Sequence, residues 1–240
     1  MKSVSKQTKL KNRYSIVMDY LLRIILPRQA YGVFHIMRII LKEYGYWNSI
    51  KNKCITDKDG RYIPWFTYPA YEFINSLDLK NKTVFEWGSG HSTVYWSKKC
   101  KSVTSVEDNK EWYEKISRFL NRCKNVNLIF SKDKEEYLDS IKAANFSYDL
   151  IIIDGSYRIE CLKKAVGLIN DDGFIIFDNS DWYEKPINEI ISNAWLKIDF
   201  NGFSPTNEYT SRTSILFSIK SSLKQKNRYQ TIGGIKANLN

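Results

Sequence analysis

The chain has 240 residues, 43% hydrophobic and 26% charged, and its 37 Lys and Arg outnumber 26 Asp and Glu for a formal net charge of +11. That length and apolar content exclude a disordered chain and suit one domain better than two. The basic balance implies attraction to something anionic, whether a nucleic acid, an acidic membrane surface or an acidic glycan, or it reflects only the abundance of Lys and Asn.

Residues 1–13 are basic and polar. The segments Ile16–Leu26 and Val33–Leu41 are apolar and helix-compatible, carry Arg23 and Arg38, and are separated by Pro27. Each is too short and too charged to span a bilayer. They fit packing on protein, a second subunit of a homodimer included, and the neighbouring Tyr31, Tyr44, Tyr46 and Trp47 also suit peripheral contact with the inner face of a membrane. From Trp65 the pattern alternates. A helix is expected over Ala70–Leu77, then strands at Thr83–Glu86, Ser102–Val106, Val126–Phe130, Leu150–Ile153 and Phe174–Phe177, with helices near 92–99, 109–122, 134–143 and 159–169 between them. A helix near 186–194 precedes two β-like runs, Leu196–Phe200 and Thr213–Ile219. Strands alternating with helices predict a mostly parallel sheet covered on both faces, with ligands at the carboxyl ends of the strands. The divisions are an N-terminal helical extension (1–60), one catalytic domain (61–220) and a basic tail (221–240) expected to be mobile.

Cys54, Cys100, Cys123 and Cys161 are widely spaced, with His35 and His91 the only histidines, so no zinc motif forms. Asp19 and Arg23 interrupt the first apolar run and no small-residue cleavage site follows it, which makes a reducing cytoplasm the expected compartment.

The most informative stretch is Val84-Phe85-Glu86-Trp87-Gly88-Ser89-Gly90-His91-Ser92, a strand ending in an acid that runs into a glycine turn and a helix. Such a turn lets a ligand approach the backbone and the helix N-H groups. Glu86 would repel a pyrophosphate and favour an amino group and a sulfonium, which points to S-adenosylmethionine over NAD. The next strand ends in Glu107-Asp108, about 20 residues on, where an acid can accept hydrogen bonds from ribose hydroxyls.

On these residues the chain resembles the class I S-adenosylmethionine-dependent methyltransferases over about Trp65 to Lys220. The resemblance implies a Rossmann-like α/β fold with a mostly parallel seven-stranded sheet ending in an antiparallel pair. It implies cofactor contacts from Glu86, Gly88, Ser89, Gly90, His91, Ser92, Glu107 and Asp108. Ser92 stands where the family has a third glycine, and its hydroxyl can cap the helix.

Two further strand ends carry acids: Ile151-Ile152-Ile153-Asp154-Gly155-Ser156-Tyr157-Arg158 and Ile176-Phe177-Asp178-Asn179. Methyl transfer to oxygen needs alignment of the acceptor and removal of its proton, and Asp154 is the candidate catalytic base. Asp154, Asp178 and Asn179 also resemble the metal-binding set of catechol and caffeoyl-coenzyme A O-methyltransferases, which implies Mg²⁺ or Ca²⁺ as a second cofactor, although an Asp-Asn pair also makes turns and caps. Tyr157 and Arg158 are candidate acceptor contacts, and Arg158 could instead pair with Glu160 or another acid. The Asn/Asp-Pro-Pro-Tyr turn that many amino methyltransferases resemble one another in is absent at Asp154. Base methylation is thereby disfavoured, and the scattered basic residues disfavour a nucleic-acid partner. The segment Gly60–Pro69, with Trp65 and Tyr68 as wall or core, Asp154-Gly155 with Arg158 and Cys161, and Thr213-Ser214-Ile215 are similar to a bacterial branch associated with surface glycans and natural products. The expected acceptor is the hydroxyl of a small molecule or sugar, with RNA ribose or a catalytically silent partner protein as alternatives. The loop 201–212 is the expected lid.

Overall fold

The computed structural model describes residues 20–143, 147–191, 194–219, 221, 225–226 and 230–234. The basic segment expected over 1–13, and the start of the first apolar segment, lie outside them. Seven strands form one sheet in the order β3-β2-β1-β4-β5-β7-β6. They are β1 (Thr83–Trp87), β2 (Ser102–Glu107), β3 (Val126–Phe130), β4 (Tyr148–Ile153), β5 (Ile169–Asp178), β6 (Trp195–Phe203) and β7 (Thr210–Ser218). The first five are mutually parallel, and β7 runs antiparallel between β5 and β6. This is the expected mostly parallel seven-stranded sheet with its terminal antiparallel pair.

The physical reason is legible in β4. Its apolar run sends Leu150 and Ile152 to one core and Ile151 and Ile153 to the other, so both faces of the strand are dry. On the first face Trp96 of helix α4 (His91–Lys99) and Tyr71 and Ile74 of α3 (Tyr68–Ser76) pack over Val84 and Ile152. On the other, Tyr137 of α6 (Lys134–Asp139) and Cys161 and Leu162 of α7 (Arg158–Ala165) cover Phe85, Trp87 and Ile151. Each fully buried side chain of this size contributes about 1.5–3 kcal/mol. Helix α5 (Lys110–Leu120) covers the β2–β3 end through Ile116 and Leu120 and is capped by Asn109, whose side chain accepts from Trp112 N at 3.0 Å.

Several boundaries differ from the sequence reading. β5 begins at Ile169 rather than Phe174, because Ile169 already pairs with Tyr148 ahead of a register irregularity, after which Phe174 pairs with Leu150. β6 runs on to Phe203 and β7 starts at Thr210, which shortens the expected lid of 201–212 to residues 204–209. The tail was expected to be mobile, yet its described residues are held. Gln225 bridges Leu77, Lys226 N donates to Ser76 O at 2.8 Å, Ile232 packs against the core, and its N-H donates to buried Glu72 at 3.2 Å.

The N-terminal region does not part cleanly from the domain at residue 60. After helix α1 (Arg28–Arg38) and a π-helical turn (Ile39–Glu43), helix α2 (Tyr46–Asn52) leads into a loop that packs Ile55, Ile63 and Phe66 on the core. Tyr44 donates from its hydroxyl to Glu72 and stacks at 4.4 Å on Tyr68, which is a core residue and not part of a cleft wall.

At the carboxyl edge the ends of β1 and β4 touch backbone to backbone. Asp154 N donates to Trp87 O at 3.0 Å, and Gly88 sits at φ +94 with room for a Cβ only 2.7 Å from Gly155 Cα. A Cβ on Gly155 would likewise fall 2.8 Å from Gly88 N. Gly88→Ala and Gly155→Ala should therefore each lower unfolding stability by more than about 1 kcal/mol. Gly90→Ala, whose Cβ would meet only Ser92 Oγ at 3.5 Å, should leave the denaturation midpoint nearly unchanged, and urea titration of the three variants checks both statements.

Candidate active site

Where β1, β2, β4 and β5 end, the chain encloses a cleft of about 820 Å³. Its floor is the glycine turn. Gly90 is extended rather than left-handed, and the lack of a side chain leaves space above it. Gly90 N donates to Thr93 Oγ1 at 2.9 Å, closing the first turn of α4. Glu107, at the end of β2, is buried and accepts from Ser89 N at 3.1 Å through one oxygen and from Asn109 N at 2.9 Å through the other. Burial pushes its pKa up to about 7. Gly88, Ser89, Gly90, His91, Ser92, Glu107 and Asp108 all line the cleft.

His91 stacks on Tyr62 at 4.6 Å and meets Trp112 edge-on at 5.9 Å. Its Nε2 is buried without a hydrogen-bond partner, and burial lowers its pKa, which favours the neutral ring. An unpaired buried nitrogen in a cleft wall is an open position for a ligand. Trp112 donates from its indole N-H to Ser89 O at 2.7 Å and so pins the turn from the α5 side.

Glu86 corrects the sequence reading. It was expected to face the ligand's positive charge, but it is fully buried beneath the turn and does not line the cleft. Three hydroxyls donate to its carboxyl group: Ser92 at 2.6 Å, Thr93 at 2.5 Å and Ser105 at 2.8 Å. Its role is to tie β1 to β2 and to the start of α4. Burial raises its pKa to about 7 in spite of these donors.

The opposite end of the cleft is built from the ends of β4 and β5. Asp154 has a side chain 22% exposed, into the cavity. Arg158, the first residue of α7, reaches back across both strand ends. Its Nε donates to Gly155 O at 3.0 Å, one terminal nitrogen donates to Asp178 O at 2.6 Å and Asn179 Oδ1 at 2.9 Å, and the other to Asp154 Oδ1 at 3.2 Å. Asp178 is buried and accepts from Thr213 Oγ1 at 2.6 Å, which in turn accepts from Thr67 N at 3.0 Å. Asn179 holds φ +50 and Tyr157 holds φ +51, conformations that cost energy in non-glycine residues and that recur at functional sites. Burial raises Asp154 to about 6, with the Arg158 charge opposing, and burial and the Asp154 charge push Asp178 well above the carboxylate range.

No protein-family model matches the sequence, and neither does any curated protein. Among solved structures the chain is similar to the O-methyltransferase TomG from Streptomyces achromogenes, in complex with SAM, at 10% identity over 61% of this chain and 77% of that chain, with a TM-score of 0.52. It is also similar to an rRNA methylase from Streptococcus thermophilus, at 14% identity over 62% of this chain and 96% of that chain, with a TM-score of 0.50. The fold is the Rossmann-like methyltransferase fold.

Within that fold the expected metal set is brought together but does not make a metal site. Arg158 engages Asp154 Oδ1, Asn179 Oδ1 and the Asp178 carbonyl, and Thr213 takes up the Asp178 carboxyl group. The donors that a hard cation would need are satisfied by a guanidinium and a hydroxyl. Among the described residues no cluster of three or more His, Cys, Asp or Glu could hold a metal ion. The same contacts correct the reading of Arg158 as an acceptor clamp, since its donors are turned onto the protein. Glu160, its other candidate partner, pairs with Lys134 at 2.8 Å. Tyr157 does not line the cleft. Its ring lies against Tyr137 and under the Lys134 ammonium.

The cleft has further walls that the sequence did not reveal. Ser49, Ile50, Lys53 and Cys54, from α2 and the turn after it, form one side, and Trp182, Thr206, Asn207 and Tyr209 form another. Trp65, read as wall or core, is wall. Trp65, Trp182 and Tyr209 are exposed at the mouth. Only an exposed aromatic in a turn, as at Trp182 and Tyr209, could have hinted at this.

Glu86 and Glu107 keep protons in the folded chain that the unfolded chain gives up above its ordinary carboxyl pKa, so folded stability is fully present below about pH 4.5 and falls as pH rises to about 7. The Glu86 shift corresponds to about 3 kcal/mol. Glu86→Gln should flatten that decline while losing some stability at low pH, where its hydroxyl partners lack a carboxyl acceptor. Denaturant titrations between pH 4.5 and 8 measure the slope.

Proposed function

We propose that the chain is an S-adenosylmethionine-dependent methyltransferase that modifies a hydroxyl of a small molecule or sugar. The observation that carries this reading is one cleft with two chemically different ends: an acid-and-glycine floor at β1 and β2, and Asp154 beneath an aromatic mouth at β4 and β5.

The floor fits the cofactor. Each Glu107 oxygen accepts one backbone N-H and has a second acceptor position for a ribose hydroxyl. Gly90 keeps the floor clear, and the unpartnered His91 Nε2 offers a polar contact. The bound cofactor supplies a methyl group on a positively charged sulfur.

The chain's own part is alignment and proton removal. The acceptor oxygen gains the methyl and loses its proton, and Asp154 is placed to take that proton. Of the Asp154 carboxylate Arg158 engages Oδ1, and among the described residues no hydrogen bond takes up Oδ2. With a pKa of about 6, Asp154 is mostly ionised at neutral pH and is a base matched to that pH. Asp178, favoured in its protonated form, keeps the pair from carrying two negative charges beside one guanidinium. The exposed rings of Trp65, Trp182 and Tyr209 suit an acceptor with flat apolar faces and polar edges, such as a sugar or phenol.

Titration calorimetry with S-adenosylhomocysteine tests the floor. Glu107→Ala should weaken binding roughly 10- to 150-fold, from the loss of about 1.5–3 kcal/mol of charge-assisted hydrogen bonding. Unchanged affinity in a folded variant sinks the cofactor assignment.

Turnover of hydroxylated sugars and phenols, followed by release of S-adenosylhomocysteine, tests the other end. The rate should rise with pH through about 6, as Asp154 loses its proton. Asp154→Asn should lower turnover by about 10²- to 10⁴-fold and abolish that limb, with cofactor affinity kept. EDTA should leave the rate unchanged. Chelator-sensitive turnover that Mg²⁺ restores would overturn the guanidinium reading, and methylation of RNA alone would reassign the acceptor.

A further inference from the structure

The helix α1 is amphipathic in the wrong sense for a monomer in water. None of its residues is buried. Its apolar side chains Val33, Ile36 and Met37 are 58%, 60% and 52% exposed, and Phe34 is exposed beside them, while Tyr31, His35 and Arg38 are the half-buried ones. The preceding helical segment, residues 20–25, continues the pattern with Leu21, Ile24 and Ile25 exposed. Two successive helical segments thus present one apolar surface outward, whereas isolated exposed apolar residues would need no explanation.

Charge says what covers it. Residues 20–42 contain Arg23, Arg28, Arg38 and Lys42 and no acid. Asp19 precedes them, and the first acid after them, Glu43, is already engaged by Lys58 at 3.0 Å and Arg38 at 3.9 Å. An apolar face edged by cations, with exposed Tyr20 and Trp47 at its margins, complements an anionic lipid surface. A second copy is a poorer occupant, because a two-fold contact would bring the same cations together across the seam. Among the described residues no helix is long and apolar enough to cross a membrane, so the face would lie on the lipid rather than span it.

We propose that this N-terminal face docks on an anionic bilayer. The consequence for the cleft is geometric. α2 follows directly on the π-helical turn, carries the exposed Trp47, and contributes Ile50 to the cleft wall. Docking places one wall of the cleft next to the lipid headgroups. The proposal concerns lipid binding alone and does not rest on the methyl-transfer reading.

The test is co-sedimentation of the full chain with vesicles of phosphatidylcholine alone or mixed with phosphatidylglycerol. Binding is expected to the mixed vesicles only and should fall by about tenfold or more in high salt, as screening predicts. Phe34→Ser with Met37→Ser should lower partitioning at least about tenfold without changing the melting temperature, since both side chains are exposed. Arg23→Gln and Arg28→Gln should each weaken it about fivefold. Light scattering on the same samples reads the rival. A dimer that ignores vesicles and is split by the Phe34 and Met37 changes would assign the face to a second copy. A monomer that ignores phosphatidylglycerol vesicles would also overturn the proposal.

Discussion

The site depends on one guanidinium. Arg158 spans the ends of β4 and β5 and donates to the Asp154 carboxylate, to backbone carbonyls of Asp154, Gly155 and Asp178 and to the Asn179 amide oxygen, with the buried Asp178 carboxyl group close by. Like charges in such a place repel strongly unless a cation is present or a proton is held. Arg158 supplies the cation in planar, multidentate form, and it does so from the first turn of α7, so helix position, strand ends and acid geometry are set together. That is why the resemblance to a metal-binding set is real in residue type and differs in chemistry. The fold brings the oxygens together, and this chain fills the centre with its own side chain.

The other end of the cleft rests on an internal acid of a different kind. Glu86 is neutralised by position, beneath the turn, where Ser92, Thr93 and Ser105 donate to it. It stabilises the shape of the turn at the cost of a raised pKa, while Glu107 presents an acid to the cleft. Two acids that look equivalent along the chain therefore divide the work: one shapes the floor and one faces the cleft. The touching backbones of Gly88 and Gly155 complete the arrangement by joining the two ends without an intervening side chain.

The walls above this floor come from parts of the chain with no regular pattern. α2 and its following turn close one side, and residues 204–209 with Trp182 close another. The N-terminal region is thus part of the cleft wall through α2, while α1 turns its apolar side chains to solvent.

By itself the sequence determined the alternation of strands and helices, because dry strands such as Leu150–Ile153 and Phe174–Phe177 need unbroken apolar runs, and a glycine turn between a strand and a helix leaves a mark of its own in the chain. It also determined which acids end the strands, since Asp154 and Asp178 each follow such a run and Glu107 closes the alternating run Ser102–Val106. What only the tertiary structure decided was where those acids point and what meets them. Glu86 lies under the turn rather than in the cleft because hydroxyls up to 19 residues away converge on it. Arg158 stands where a metal was expected because β4 and β5 are neighbours in space although Asp154 and Asn179 are far apart in the chain. Strand ends are local properties, written in a few consecutive residues. Side-chain direction, burial and charge pairing at those ends depend on neighbours that only the folded sheet assembles.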